Sequence, residues 1–355
     1  MSIVLAPRLP VWVIVLCGTA LIPDMRKATA QTRSSPIVGQ VVDPVRLRGV
    51  EDVHLEGDWA FLPCREGKRL TICSIKNPTQ PKVVSSFTHP DLRQAAGLAV
   101  DGATAYVASQ GNHRLLVLDV QNKSAVRLIG SVVVGGDEIK GVLYKVAYRE
   151  GYCYVAHQAA KSLFVVDVRN PRRPAVVGSV VVTTEDDGPF SVLLHDRYAL
   201  TGTLFGRRNR LAVVDVRSPA RPRLVTQVLD PAISQLSGDL VGHRYFTVAW
   251  DRNAFLVFDL RDPTRPRLEA KLVDERLGQP NRCVVLGNRA YLPMVKGDGV
   301  AVVDVSDAQK PRFVNSFRDP VMRKTYGVAV RGDLLFVGAR EGNSLVVLNR
   351  HKLER

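Results

Sequence analysis

One short phrase constrains this chain more than any other: an apolar run that ends in an acidic residue and turns on proline. Leu211-Ala212-Val213-Val214-Asp215 leads to Pro219 and Pro222. Val165-Val166-Asp167 leads to Pro171 and Pro174, Val257-Phe258-Asp259 to Pro263 and Pro266, and Val302-Val303-Asp304 to Pro311. Val117-Leu118-Asp119 runs on without prolines, and weaker copies stand at Ile72-Cys73-Ser74 and Val347-Leu348-Asn349. Successive anchors lie 45, 48, 48, 44, 45 and 45 residues apart. A steady period with several short apolar runs per unit is the pattern of four-stranded propeller blades. No window of useful length carries the 3.6-residue period that helical repeats need.

Each unit holds four strand candidates. In the third they are Lys145–Tyr148, Tyr152–His157, Ser162–Val168 and Ala175–Val182, divided by turns at Gly151, Ala159–Lys161 and Arg169–Pro174. The third strand is apolar on consecutive residues because a blade packed between two neighbours buries both faces. The last unit gives Gly327–Arg331, Leu334–Ala339 and Ser344–Asn349, then ends at Arg355 without a fourth strand. The missing strand stands at the other terminus, where Pro36–Asp43 closely matches Pro222–Asp230. The expectation is an all-β, seven-bladed propeller of four-stranded blades, closed by pairing Ile37–Val42 with the last blade. Residues 31–355 would form this single domain, and a ring with no open interface is expected to be a monomer.

The recurring Leu-x-Val-Val-Asp-Val with Pro-x-x-Pro, and the hairpins Ala105-Tyr106-Val107-Ala108 and Ala290-Tyr291-Leu292-Pro293, resemble the LVIVD repeat. The resemblance covers essentially everything after the N-terminal segment. It implies a β-propeller akin to WD and YVTN propellers, of the kind found on exported or cell-surface microbial proteins. It brings no catalytic motif, so it assigns no catalytic residue. Ser74, the proline-free stretch 123–127 and Asn349 depart from the pattern.

The N-terminus reads as an export signal: Arg8, the 12-residue apolar run Val11–Ile22, then Ala28-Thr29-Ala30 before Gln31. That run is short for a span of roughly 20 helical residues, and an uncleaved anchor is the alternative. An extracytoplasmic location follows: periplasm, cell surface or secreted. Cys64, Cys73, Cys153 and Cys283 show no disulfide framework. In a tight hairpin Cys64 faces Arg69, leaving Cys73 about 13 Å along the strand, out of disulfide reach. Buried free thiols are expected.

A feature present in most blades builds the blade, whereas a site must break the repeat. The repeated Asp is therefore expected to hold its turn by accepting backbone N–H bonds. Propeller ligands bind where the connections into the inner strands crowd the axis. Those connections carry Glu51 and Asp52 as carboxylates, Lys145 and Arg282 as cations, and Tyr144, Phe190 and Tyr326 as aromatic surface. They could form a mixed-charge pocket for a small anionic or polar ligand, or simply cap the channel. Arg207, Arg208 and Arg210 make the densest basic turn and are candidates for an anionic partner. The acidic loops Thr183–Gly188 and Asp137-Glu138 with Lys140 lack spaced metal ligands.

No metal or cofactor is expected, since HxxxH, CxxC, GxSxG, P-loop, GxGxxG and HExxH motifs are all missing. The formal charge is +15, but the basic residues are spread over every blade and aromatics make up only 6%. That argues against nucleic acid and for a protein or a polyanionic, glycan-bearing envelope component. The reading reached is an exported, non-catalytic binding scaffold. Its alternative is a lactonase- or lyase-like propeller enzyme, with Asp52 and Glu51 as acid/base candidates and Lys145 and Arg282 holding an anionic substrate.

Overall fold

The computed structural model describes residues 35–136 and 142–354. The N-terminal signal region and the Asp137-Glu138-Lys140 stretch lie outside these residues. Residues Ser35–Arg355 form one compact unit, made of seven antiparallel sheets. Blade 1 comprises His54–Glu56, Trp59–Cys64, Arg69–Ser74 and Lys82–Thr88, from inner to outer strand. Blade 3 comprises Leu143–Arg149, Tyr152–His157, Ser162–Asp167 and Ala175–Val181. Blade 7 takes Thr325–Arg331, Leu334–Ala339 and Ser344–Asn349, and Ile37–Val42 pairs antiparallel with the last of these. Blade 4 departs from the pattern: residues 190–192 interrupt its inner edge, and Gly188–Pro189 adds a separate short pairing to Tyr198–Leu204.

The joining strand is a full copy of the others. In blades 1 to 6 the outer strand carries one extra residue opposite the second half of its partner, as where Ile72 faces Ser85 but Cys73 faces Val83. Ile37 faces Leu348 and Gly39 faces Val347, so Val38 makes the same bulge at the ring junction. In blades 2, 3 and 7 the residue after the bulge is a glycine that nests against the proline turn of the following blade. A Cβ on Gly39 would stand 2.2 Å from the Pro78 carbonyl oxygen, on Gly130 2.2 Å from that of Pro171, and on Gly178 2.3 Å from that of Pro219. At the equivalent place in blade 1, Ser85 Oγ donates to the Lys123 carbonyl at 2.5 Å. The proline turns are thus inter-blade latches as well as protected edges.

The core is divided among the blade interfaces. Phe61 and Leu70 of blade 1 pack on Leu98 and Val107 of blade 2, and Tyr106 of blade 2 on Val146 and Val155 of blade 3. The pattern continues round to Phe336 of blade 7, which packs with Leu62 and Val50 of blade 1. Val38 and Val41 join that last cluster, while Ile37 joins the one between blades 6 and 7. The joining strand therefore seals two interfaces.

The repeated Asp holds its turn as expected. Asp119, Asp167, Asp215, Asp259 and Asp304 each accept the backbone N–H two residues on, at 2.8–3.0 Å. In three blades the arginine at that position also grips the same carboxylate. Where blade 7 lacks this turn, Asn349 caps a short helix, Arg350–Leu353, whose Leu353 is buried. Cys64 lies opposite Arg69 as expected, and all four described cysteines are buried free thiols. Among the described residues no helix is long and apolar enough to cross a membrane.

Candidate functional site

The start of each inner strand converges on the ring axis, and there three residues far apart in sequence meet. Asp52 precedes the inner strand of blade 1, Lys145 lies in that of blade 3, and Arg282 precedes that of blade 6. Lys145 Nζ donates to Asp52 Oδ2 at 2.8 Å, and Arg282 Nη1 donates to Oδ1 and Oδ2 at 2.9 and 3.1 Å. The Val53 amide adds a bond to Oδ1 at 2.9 Å. Two glycines let the strands approach this closely. A Cβ at Gly327 would stand 2.6 Å from the Asp52 carbonyl carbon, and at Gly97 2.5 Å from the Tyr144 carbonyl oxygen. Asp52 is only 6% exposed. Burial alone would raise its pKa, yet Arg282 and Lys145 outweigh it and hold the carboxyl down at about 2. Beside the triad is a cavity of about 120 Å³, walled by His54, Leu98, Val146, Val192, Leu193 and Ser237 among others. Burial lowers the His54 pKa, so this imidazole is neutral at pH 7.

A second tier surrounds the triad. Burial pushes the Glu51 carboxyl up, against the pull of Arg340 and Lys145. Its Oε2 lies 3.5 Å from Arg340 Nη1, without a hydrogen-bond partner. The Arg340 guanidinium lies 4.9 Å above the Tyr326 ring and donates from Nε to Glu66 at 2.7 Å. Tyr144 and Phe190 pack with ring centroids 4.7 Å apart. Gln235 bonds Asn281 at 2.8 Å, and Asn281 bonds the Tyr326 carbonyl at 3.2 Å. Arg65 bonds Gln110 at 2.8 Å. The inner-strand candidates thus fall into the Asp52–Lys145–Arg282 triad, the Glu51 and Tyr326 contacts with Arg340, and the Tyr144–Phe190 pair.

Arg65, Gln110 and Arg340 were missed by reasoning from inner-strand starts alone. Each is the first residue after its blade's second strand, where blades 3 to 6 carry Gln158, Phe205, Trp250 and Val295. That position varies round the ring, from arginine in blades 1 and 7 through glutamine in blades 2 and 3 to apolar residues in blades 4 to 6, and aligning it would have exposed the three.

The basic turn divides in two. Arg210 is 6% exposed, and its Nε and Nη2 hold Asp187 at 2.9 and 3.2 Å while Nη1 donates to Gln227 at 3.1 Å. It is a structural clasp and not a surface ligand. Asp187 also accepts from Thr183 Oγ1 at 2.6 Å, so the acidic loop spends one carboxylate inside the fold. Arg207 and Arg208 remain exposed, and their guanidinium groups make no ion pair among the described residues. They line a groove of about 440 Å³ with Arg252, Asp230, Leu229, Pro231 and Ile233. Phe205 beside them is 63% exposed and Leu229 50%. Among the described residues no three His, Cys, Asp or Glu side chains are grouped to hold a metal ion.

The LVIVD repeat matches residues 92–134, 141–182 and 278–319, which are blades 2, 3 and 6 with their leading connections. The chain carries LVIVD repeats, and its fold is a seven-bladed β-propeller. No curated protein sequence matches it. Among solved structures it resembles hydrazine synthase of Kuenenia stuttgartiensis, at 17% identity and TM-score 0.67 over 87% of this chain and 97% of that one. Virginiamycin B lyase from Staphylococcus aureus gives 7% identity and TM-score 0.65, over 87% and 98%. The periplasmic gluconolactonase of Pseudomonas aeruginosa gives 15% and 0.64, over 76% and 85%. At these identities the likeness is one of fold.

Proposed function

We propose that this LVIVD-repeat propeller is an exported, non-catalytic binding ring that docks an anionic protein partner in the groove between blades 4 and 5. One observation carries the reading: Arg207, Arg208 and Arg252 line a groove opposed by a single lining carboxylate, Asp230, with exposed Phe205 and Leu229 alongside. Elsewhere arginines are mostly committed to their own fold, as in the Asp-Arg turns and the Arg210–Asp187 clasp. Arg252 is already paired with Asp251 at 3.9 Å; the uncommitted guanidinium groups of Arg207 and Arg208 next to apolar side chains suit a protein surface that offers carboxylates and an apolar anchor. The N-terminal signal pattern supports export.

The test is affinity capture from an envelope extract with the mature chain and its Arg207→Glu/Arg208→Glu variant. A partner retained by the wild type should be lost from the variant and should elute with salt, as charge-steered contacts do. Equal retention by both proteins overturns the reading.

A second reading rests on Glu51. The neighbouring carboxyls 51 and 52 are driven in opposite directions, Glu51 up by burial and Asp52 down by its cations. Such divergence is the arrangement by which sites separate a proton-transfer group from a fixed charge. In that case Glu51, and not Asp52, is the acid/base residue of a propeller enzyme. Turnover of a lactone or other ester panel by the wild type, lost in Glu51→Gln, would favour it over the binding ring.

A further inference from the structure

We infer that one face of the ring is a seat for an anionic phospholipid surface, built by the proline turns of blades 3 to 6. Antiparallel strand order puts every turn from third to outer strand on the face opposite the starts of the inner strands. The Arg207–Arg208 groove, at a turn between second and third strands, belongs to that opposite face. In blades 3 to 5 the arginine two residues after the repeated Asp is spent on that carboxylate. The cations further along the same turns are not. Arg173, Arg221, Arg265 and Lys310 precede the second proline, and Arg223 and Arg267 follow it. All six are exposed, and their side chains make no hydrogen bond or ion pair among the described residues. A feature that recurs in four consecutive blades without serving the blade points outward.

Charge and placement decide what these cations meet. The four turns, 167–175, 215–223, 259–267 and 304–312, hold 11 Lys and Arg against 6 Asp. That surplus already counts every carboxylate in them, including Asp262 and Asp307, which accept the backbone N–H two residues on. The hairpin turns of the same blades on this face, 149–151, 196–197, 242–243 and 287–288, add two charges of each sign and leave it unchanged. Exposed Val176, Leu224, Val225 and Val314 stand directly beyond the cations. Basic heads beside apolar side chains suit the headgroup layer of an anionic bilayer. None of the four turns carries a Phe, Tyr or Trp to stack a nucleobase. Cations on the tips of separate turns match a plane better than a single threaded chain. Ser35 lies on this face too, because Ile37 pairs with Leu348 at the end of the third strand of blade 7. An uncleaved leader therefore joins the ring from this side.

The test is sedimentation of the chain from Gln31 onward, which holds the whole compact unit, with phosphatidylcholine vesicles made with and without phosphatidylglycerol. The protein should bind only the anionic vesicles and come off as salt rises. A basic side chain near such a surface strengthens binding about fivefold. Arg221→Gln/Arg223→Gln/Arg265→Gln/Arg267→Gln should therefore weaken it by a factor on the order of 100, with Tm unchanged because these side chains have no partners in the fold. If that variant does not fold, Arg173→Gln/Lys310→Gln carries the comparison, with a loss on the order of tenfold. Arg48→Gln/Lys68→Gln/Lys296→Gln/Arg318→Gln removes the same charge from the opposite face and should bind as the wild type does. Equal loss in both fourfold variants would mean that net charge alone acts, and overturns the seat. So does binding that the rim variants leave undiminished, or no binding to anionic vesicles at all. Retention on alginate, a linear polyuronate, at a salt concentration that strips the vesicles assigns the rim to a glycan and overturns the bilayer. Arg207 and Arg208 are kept in every variant, so none of these results bears on the docking groove.

Discussion

Asp52 shows how one residue acquires its character from residues 93 and 230 positions away. Its folded pKa of about 2 lies below the ordinary aspartate value of 3.8. A depressed carboxyl stabilises the fold fully above the unfolded pKa, and that contribution is lost as pH falls through the folded one. Asp52→Asn should therefore destabilise the protein at pH 7 by about 3–5 kcal/mol, the usual result of stripping one partner from a buried ion pair. Its deficit against the wild type should shrink between about pH 4 and pH 2, as read by urea unfolding at each pH. A deficit independent of pH would mean that packing, not charge, is what Asp52 contributes. The sequence singled out Asp52, Lys145 and Arg282 as residues that break the repeat, but it could not say that they neutralise one another. Nor could it show Arg210 as buried. Arg207, Arg208 and Arg210 lie within four positions, and only the inter-strand register decides which one points inward to Asp187.

At the scale of the element, the outer strand and its proline turn are the working joint of the ring. In blades 2, 3 and 7 the bulged strand brings a glycine onto the next blade's turn, so bulk at that point has nowhere to go. Gly130→Val, whose first carbon would meet the Pro171 carbonyl, should lower stability by about 1–3 kcal/mol through overpacking. Chemical denaturation will register it, and an unchanged midpoint would show that the latch yields freely. Deleting residues 35–43 removes one such strand and uncovers the third strand of blade 7 along Ser344–Leu348. The deletion should lower Tm markedly and favour self-association through the open edge, visible by thermal scanning and light scattering. Strand positions were largely legible because apolar runs and turn residues alternate without exception. The split inner edge of blade 4 was not: residues 190–192 interrupt the ladder between the pairings of Gly188–Pro189 and Leu193–His195, beside the close approach of Leu236 to Gly202, a contact distant in sequence.

The whole molecule is a circle of interfaces, and its buried thiols report on them individually. Cys64 and Cys73 lie in the interface of blades 7 and 1, Cys153 in that of blades 2 and 3, and Cys283 in that of blades 5 and 6. Burial pushes the Cys64 thiol up to about 12, and the other three move in the same direction. None of the four should react with a thiol reagent at pH 8 in the native protein, and all four should react in denaturant. In the 35–43 deletion, Cys64 and Cys73 should label before Cys153 and Cys283, because opening starts where the joining strand is missing. Labelling of all four at one rate would mean that the ring melts as a unit. The sequence by itself determined the blade count, the strand order, the closure by residues 37–42 and the structural duty of the repeated Asp. Those follow from periodicity and local turn chemistry, which neighbours in the chain carry with them. Only the tertiary structure decided which repeat-breaking residues meet at the axis and which arginines are committed inside the fold. Closing seven blades sets distances between residues 230 and 274 positions apart, and no local pattern encodes them.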